Sequence, residues 1–166
     1  MGNLIEQAIT MAIAALVQQN ITTAEEAIAF DREINDQEKK IEALCLKLLL
    51  QQQPVARDLR LISSALKMIT DMERIGDHAA DISEITLLLA EESSINLIDI
   101  IQSMAKETTD MVAKSIEAFV NRDLKLAHSV IEQDDTVDRL FMTLRQEIIR
   151  MINEKVEQGE QATDVL

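Results

Sequence analysis

Two segments of the chain carry carboxylates at a spacing that would place them on one side of a helix. In the first segment, acidic and amide side chains recur every three or four residues, at Asp31, Asn35, Glu38 and Glu42. In the second segment the same spacing links Glu73, Asp77, Asp81 and Glu84. At about 100° per residue, each set falls within a narrow stripe. Carboxylates at i and i+4 repel each other, so each stripe requires compensating charge.

The pattern leaves two interpretations of the stripes open. Thirty acidic side chains in a chain of 166 residues are enough to make a solvated face that binds nothing. Alternatively, the stripes of adjacent helices face each other and hold a cation. Sites built from oxygen ligands suit hard ions such as Mg²⁺, Mn²⁺ or iron, rather than metals that prefer thiolates.

The two histidines argue against several kinds of catalytic site. Di-iron bundles use a Glu-x-x-His pair on each of two helices, and no Glu precedes His78 or His128 by three residues. We therefore expect both histidines at the surface and not as metal ligands. Gly-rich phosphate loops, zinc-binding spacings and nucleophile elbows are also missing from the sequence.

Composition excludes further classes of protein. The formal charge of −14 and an aromatic content of 2 % argue against nucleic-acid binding, which uses clustered Lys and Arg and stacking rings. Three Gly and one Pro leave little material for the turns of an all-β domain. The single cysteine, Cys45, lies in an apolar run and is predicted to be a buried free thiol.

We expect a cytoplasmic protein. The longest purely apolar run, from Met11 to Val17, is much shorter than the roughly 20 residues that span a bilayer. The first residues do not form a basic region followed by a cleavage site, as a secretory signal would.

Apolar spacing predicts five helices with breaks near Asn20, Pro54, Ser94 and Asp123. Thr22 or Thr23 is predicted to cap the second helix. Pro54 suits the first position of the third helix, which is predicted to run from about 55 to about 90. The fifth helix is predicted to continue to about Gln158, where Gly159 ends it. Five long helices with short connections predict an all-α antiparallel bundle.

The sequence also repeats weakly at an offset of 103 residues, which pairs Ile28 with Ile131 and Asp31 with Asp134 without a gap. The repeat predicts a complete three-helix unit over 1–92 and a partial unit of two helices over 93–166. Because two helices alone leave an apolar face uncovered, we expect oligomerisation or domain swapping to cover it.

A more specific pattern lies in the segments from Gln52 to Arg60 (QQPVARDLR) and from Glu73 to Ala79 (ERIGDHA), with Ala65-Leu66-Lys67 between them. These segments resemble the PhoU family, whose members regulate high-affinity phosphate transport. Weaker similarity extends over nearly the whole chain. The resemblance implies a fold of tandem three-helix units, in agreement with the repeat. Family members usually have about a turn of helix before the position of Met1 and a sixth helix after that of Leu166, so the resemblance implies a fragment or a divergent form.

The resemblance also implies a metal site. The family signature is an acidic residue, three others, then Asp, and it binds multinuclear metal clusters. Glu73 to Asp77 and Asp134 to Asp138 match it fully, whereas Asn35 replaces the second acid after Asp31. The expected metal ligands are Asp31, Asn35, Glu73, Asp77, Asp81, Asp134 and Asp138. They are expected to bind a cluster of iron, zinc, manganese or magnesium, with the second cluster incomplete.

The function implied by the resemblance is regulation and not catalysis. We expect a negative regulator of the phosphate-starvation response and of phosphate uptake. It is expected to act as a metal-binding adaptor between the ATPase subunit of a phosphate transporter and a sensor histidine kinase. It should be a homo-oligomer that reaches the membrane only through these partners. Two alternatives stay open: a structural helical interaction protein without metal, and a metalloenzyme such as a phosphatase with carboxylate-bound ions.

Overall fold

The structure is a computed structural model that describes residues 1–89 and 97–154. These residues include five α-helices. The helices are α1 (Gly2–Gln18), α2 (Ile21–Gln52), α3 (Arg57–Leu89), α4 (Ile98–Asn121) and α5 (Leu124–Glu154). Short turns connect α1 to α2, α2 to α3 and α4 to α5. The all-α bundle predicted from the apolar spacing is confirmed.

The start of α2 differs from the prediction by a few residues. Asn20 caps the helix, because its Oδ1 accepts a hydrogen bond of 3.1 Å from the backbone N–H of Thr23. The prediction that Thr22 or Thr23 would be the cap was therefore wrong. Asn20 takes the extended backbone of a cap residue, and Asn is among the strongest helix caps.

The start of α3 also differs, because Pro54 is not its first residue. Gln53 and Ala56 both take φ 45°, in the left-handed region, on either side of Pro54. A right-handed helix cannot pass through Ala56 in that conformation, so α3 begins only at Arg57. The turn joins two long helices without a glycine.

Two predicted boundaries lie outside the described residues. One is the break near Ser94. The other is the end of the last helix near Gln158 and Gly159.

The core of the first three helices is built around α1, which contacts α2, α3 and α4. Its buried residues share one side of the helix and are mostly alanines, so neighbouring helices can approach closely: Ile5, Ala8, Ala12 and Ala15. Ile34 from α2 and Met72 and Ala79 from α3 complete this cluster. Cys45 on α2 is a buried free thiol, as predicted.

α4 and α5 pair with each other and join the rest of the bundle mainly through α4 and α1. Their own core is small and centres on Leu97, Leu144 and Ile148. Large apolar side chains of α5 are exposed, among them Ile131, Phe141, Met142 and Ile149. Within the described ranges, no helix has both the length and the hydropathy required to cross a bilayer.

Candidate functional site

The two acidic stripes meet where α2 packs against α3. Gly76 allows this close approach: a Cβ at position 76 would lie 2.8 Å from Ile34 Cδ1 and 3.5 Å from Asp31 Oδ1. Asp31 therefore lies directly beside the α3 backbone and next to Asp77. We call the carboxylates gathered here the acidic seam, and they are Asp31, Glu38, Glu73, Asp77 and Asp81.

Asp31 has the most constrained carboxyl group of the acidic seam. Its Oδ2 accepts a hydrogen bond of 2.6 Å from Asn35 Nδ2, whereas its Oδ1 is buried without any hydrogen-bond partner. Burial raises the pKa of Asp31, and the nearby Asp77 carboxylate raises it further, against the opposing effect of Asn35. The Asp77 carboxylate therefore acts on Asp31 in the same direction as burial, and both favour the protonated form of Asp31.

Glu73 lies half-buried one turn before Asp77 on α3. Burial raises its pKa, and the carboxylates of Asp77, Glu38 and Asp31 add to this effect in that order. Arg74 opposes the increase only in part, and its guanidinium lies 3.7 Å from Asp71 at the exposed side of the helix. Glu38 belongs to the predicted stripe of α2 but is not among the predicted ligands. In the structure it lies close enough to Glu73 to belong to the acidic seam.

Asp81 lies at the exposed edge of the acidic seam. Its Oδ2 is 3.4 Å from Nδ1 of His78, one turn earlier on α3. Both histidines are exposed, as predicted. His78 is also one of the few polar residues that border an apolar cavity of about 460 Å³ between α1, α3, α4 and α5. That cavity has too few polar groups to orient a reacting ligand.

The oxygen atoms of the acidic seam are distributed along it. Glu73 to Asp81 spans about 12 Å of helix. Across residues 1–89 and 97–154, no three His, Cys, Asp or Glu side chains meet in an arrangement that could hold one metal ion. The seam therefore concentrates negative charge and oxygen donors without a preformed single-ion cage.

The remaining two predicted ligands, Asp134 and Asp138, lie apart from the acidic seam. Both are exposed on α5, one helical turn from each other. Asp138 borders a shallow surface groove together with Asp135 and Arg139. Of the seven predicted ligands, the structure thus gathers five at the α2–α3 seam and leaves this pair on another helix.

A polar network between α4 and α5 was not predicted from the sequence. Gln133 Nε2 donates hydrogen bonds to Glu107 Oε2 at 2.7 Å and to Asp110 Oδ2 at 2.9 Å. Lys114 Nζ donates to Gln133 Oε1 at 3.0 Å and forms an ion pair with Asp110. The contact of Lys114 with Asp110, followed by the hydrogen bond that Gln133 donates to Asp110, lowers the pKa of Asp110.

The two helix seams therefore differ in their charge balance. The α4–α5 seam has a lysine and an amide that compensate its carboxylates, whereas Asp31 in the acidic seam keeps a buried oxygen without a donor. The spacing of Asp110 and Lys114 on one helix is visible in the sequence. The position of Gln133 beside them depends on how α5 packs against α4.

Comparison with known proteins identifies the family to which this fold belongs. The sequence profile of the PhoU domain matches residues 1–86 and 101–166. A phosphate-specific transport system accessory protein PhoU homolog from Aquifex aeolicus is 40 % identical over 154 residues, which cover 93 % of this chain and 70 % of that protein. A homolog of the same name from Clostridium acetobutylicum is 35 % identical over 167 residues, which cover all of this chain and 76 % of the relative.

Two solved structures share the fold. The crystal structure of PhoU from Pseudomonas aeruginosa superposes with a TM-score of 0.93 at 31 % identity, over 99 % of this chain and 79 % of that one. The phosphate transport system regulatory protein PhoU from Streptococcus pneumoniae gives a TM-score of 0.87 at 29 % identity, over 99 % and 78 %. These proteins are named as accessory or regulatory proteins and not as enzymes. The chain belongs to the PhoU family.

Proposed function

We propose that this chain is a regulatory component of a phosphate transport system and represses the phosphate-starvation response when phosphate is ample. Its relatives are named for phosphate-specific transport. The proposed mechanism is that of an adaptor, in which the acidic seam forms part of the surface that contacts other proteins. The proposed partners are the ATPase subunit of the transporter and a sensor histidine kinase.

The observation that carries the proposed metal site is the buried Oδ1 of Asp31, which has no hydrogen-bond donor. Buried polar atoms nearly always have a partner, so this oxygen favours a proton or a cation. Asp31, Glu73 and Asp77 offer the carboxylate oxygens that hard cations prefer. These residues fit iron, manganese or magnesium, and fit zinc less well because histidine and cysteine ligands are absent from the seam.

A cation bound here would supply positive charge that offsets the repulsion among the carboxylates of the acidic seam. Asp31 and Glu73 would hold it from the half-buried side, and the exposed Asp77 would face both the cation and the solvent. Asn35 contributes no charge, so this site should bind more weakly than one with a second acid at that position. The exposed pair Asp134 and Asp138 would form a second, weaker site on α5.

Partner binding follows from the charge that remains at the surface. Asp77 and Asp81 are exposed, and their negative charge would attract basic surfaces and repel acidic ones. Occupancy of the seam changes this charge, and with it the choice between partners. Proton uptake by Asp31 would change the charge in the same direction.

The test is a substitution at the chromosomal gene. Deletion should raise expression of phosphate-scavenging genes in phosphate-rich medium, and Asp77→Lys should have the same effect while the protein stays folded. Glu117→Lys, a reversal at an exposed position on α4, serves as the matched control and should preserve repression. A structural protein unrelated to phosphate predicts normal repression in the deletion strain, and that result would overturn the proposal.

A second measurement separates the metal-binding adaptor from an adaptor without metal. Purified wild-type protein should contain iron, manganese or magnesium by elemental analysis, and the Glu73→Ala, Asp77→Ala double variant should contain markedly less. Equal metal content in both proteins would mean that the acidic seam is not the site.

A further inference from the structure

The turn between α2 and α3 exposes a group of large apolar side chains. They come from the last turns of α2, the turn itself and the first turn of α3, and they are Leu44, Leu46, Leu48, Leu50, Val55 and Leu59. We call this surface the α2–α3 tip. Leu50 is 81 % exposed and Val55 is 74 % exposed, which makes them the most accessible of the six.

The leucines surround the end of α2 instead of facing the bundle. At about 100° per residue, Leu44 and Leu48 lie on one side of the helix, and Leu46 and Leu50 lie on the opposite side. Between them, Cys45 is buried against the rest of the protein. A surface helix normally exposes mainly polar residues, whereas the exposed residues here are mainly leucines, with Lys47 and Gln51 on the side away from Cys45. The end of α2 therefore lacks surroundings that would cover both of its sides.

The backbone of the turn places Val55 at the apex. Gln53 and Ala56 on either side of the Pro54–Val55 pair take left-handed φ values, which non-glycine residues seldom adopt. Gln53 is the C-cap of α2 and α3 begins directly after Ala56, so the exposed Val55 lies in the turn between the two helix ends.

The charge of the α2–α3 tip is opposite to that of the whole chain. From Ala43 to Leu61 the only acidic residue is Asp58, whereas Lys47, Arg57 and Arg60 are basic. All three basic side chains are exposed. The chain as a whole has a formal charge of −14, so the tip is a basic end on an acidic protein.

The acidic seam is too distant to cancel this local charge. Glu38, the residue of the acidic seam nearest to the tip along α2, lies about 18 Å from Leu50. The Debye length at physiological ionic strength is about 8 Å. An anionic surface that touches the tip therefore interacts with its basic residues and is screened from the carboxylates.

We propose that the α2–α3 tip docks directly on an anionic lipid surface. Leu50 and Val55 would enter the interfacial region, and Lys47, Arg57 and Arg60 would contact lipid phosphates. A fluid interface can enclose a protruding helix end on all sides, which matches the arrangement of the leucines. Apolar insertion combined with a basic patch supplies the two contributions that stable attachment to a membrane requires.

This contact differs from the expectation that the chain reaches the membrane only through its partners. It uses no residue of the acidic seam, so it does not rest on the proposed adaptor function. The competing occupant is a protein with a deep, acidic and apolar pocket, and the experiments below distinguish it from lipid.

The first experiment uses tryptophan as a reporter. Because the chain has no Trp, Val55→Trp gives a single fluorophore at the tip. Leu88→Trp is the matched control, since Leu88 is 72 % exposed near the opposite end of α3. The probe is a vesicle of phosphatidylcholine with phosphatidylglycerol as the minor component, compared with phosphatidylcholine alone. We expect a blue shift for Val55→Trp with the anionic vesicle only, reversed by high salt, and no shift for Leu88→Trp.

The second experiment measures co-sedimentation with the same vesicles. Two double variants test the tip. One combines Leu50→Gln with Val55→Gln, and the other combines Arg57→Gln with Arg60→Gln. Each should bind the anionic vesicles about tenfold or more weakly than wild type. Ile21→Gln, Leu88→Gln is the matched control, because Ile21 is 51 % exposed at the opposite end of α2. The control should bind within about twofold of wild type, since neither basic nor tip apolar side chains change. Circular dichroism checks that every variant is folded.

Three outcomes would overturn the proposal. If the wild-type protein binds neither kind of vesicle, the tip does not dock on lipid, and a protein partner becomes the better explanation of its exposed leucines. Binding that the tip variants leave unchanged, or that the control variant reduces equally, would exclude the tip as the contact. Asp77→Lys should bind vesicles like wild type, so failure of the adaptor function and failure of lipid docking give different results.

Discussion

Gly76 on α3 lies against Ile34 on α2 so closely that a methyl group at position 76 would come within 2.8 Å of Ile34 Cδ1. Ile34 is completely buried, so its side chain has little room to move away. This contact keeps the two helices close at one level of the bundle, and Asp31 meets Asp77 at the same level. The absence of one side chain thus brings together residues of the acidic seam.

We expect Gly76→Ala to destabilise the protein. Overpacking of a core costs about 1–3 kcal/mol, and the higher helix propensity of Ala returns about 1 kcal/mol. The net loss should be about 1 kcal/mol in the free energy of unfolding, measured by urea denaturation. In a double-mutant cycle, Ile34→Val removes the clashing Cδ1, so the double variant should lose less than the sum of the single variants. Strict additivity would contradict the contact.

Asp31→Asn should stabilise the protein at neutral pH in the presence of a chelator. The amide can donate to Asp77 and removes one charge from the acidic seam, a gain of about 0.5–1 kcal/mol. Thermal unfolding measures the effect. Asp138→Asn on the exposed face of α5 is the control and should change stability by less than about 0.5 kcal/mol. An equal gain in both variants would show that the location of Asp31 is unimportant.

The pH dependence of stability should reflect the acidic seam. Folding raises the pKa of Asp31 above 3.8 and that of Glu73 above 4.5, so the folded protein binds these protons more tightly than the unfolded chain. Their contribution to the free energy of unfolding is fully present below the pKa values of the unfolded chain. It is lost as the pH rises through the pKa values of the folded protein. Asp110, whose pKa is lowered, contributes with the opposite sign. Asp31→Asn should reduce the share of this pH dependence that is due to the acidic seam. Unfolding measured at several pH values between acid and neutral checks this expectation.

Removal of metal should lower the melting temperature of the wild-type protein. A ligand that binds only the folded state stabilises it by about 2.7 kcal/mol at one hundred times its dissociation constant. The melting temperature after chelation should therefore fall in wild type and stay constant in the Glu73→Ala, Asp77→Ala variant. Asp134→Ala, Asp138→Ala should keep most of the wild-type response. The same decrease in all three proteins would contradict a site at the acidic seam.

Gln133→Leu should weaken the pairing of α4 with α5. The substitution removes the hydrogen bond from Gln133 to Glu107, which is worth about 1 kcal/mol, and leaves Lys114 without its amide acceptor. Chemical denaturation measures the loss. Gln146→Leu, at an exposed position of the same helix, is the control and should have little effect. Comparable losses in both variants would mean that the network does not contribute.

The apolar side chains exposed on α5 should bind a second copy of the chain. Phe141 and Met142 lie together on α5, and apolar patches on soluble proteins commonly mark interfaces. Light scattering should show a dimer or larger assembly, which Phe141→Gln, Met142→Gln shifts toward the monomer. Val120→Gln, Leu124→Gln changes apolar residues at the α4–α5 turn that are more exposed than Phe141 and Met142, and should not shift the assembly. A monomer at high concentration would contradict this expectation.

Local pattern alone was sufficient to predict the helices and the acidic stripes. The spacing of apolar residues depends on the geometry of one helix, so the five helices and the burial of Cys45 could be predicted without knowledge of their neighbours. The same holds for Glu73, Asp77 and Asp81, which share one side of α3 through helical periodicity. The choice between Asn20 and Thr22 as the cap could not be made in this way, because both residue types are good caps.

The tertiary structure determined which residues of the α2 stripe lie beside which residues of the α3 stripe. Asp31 lies beside Asp77 because Gly76 permits the helices to touch, and the spacing of carboxylates on each helix contains no information about that distance. The same reason applies to Gln133, whose bonds to α4 depend on the register of two packed helices. It applies also to the α2–α3 tip. A mainly apolar segment such as Leu44 to Leu50 is typical of a buried core, and only the fold shows that most of its leucines are exposed. Periodicity depends on bonds within one helix, whereas contacts between helices depend on how closely their backbones can approach.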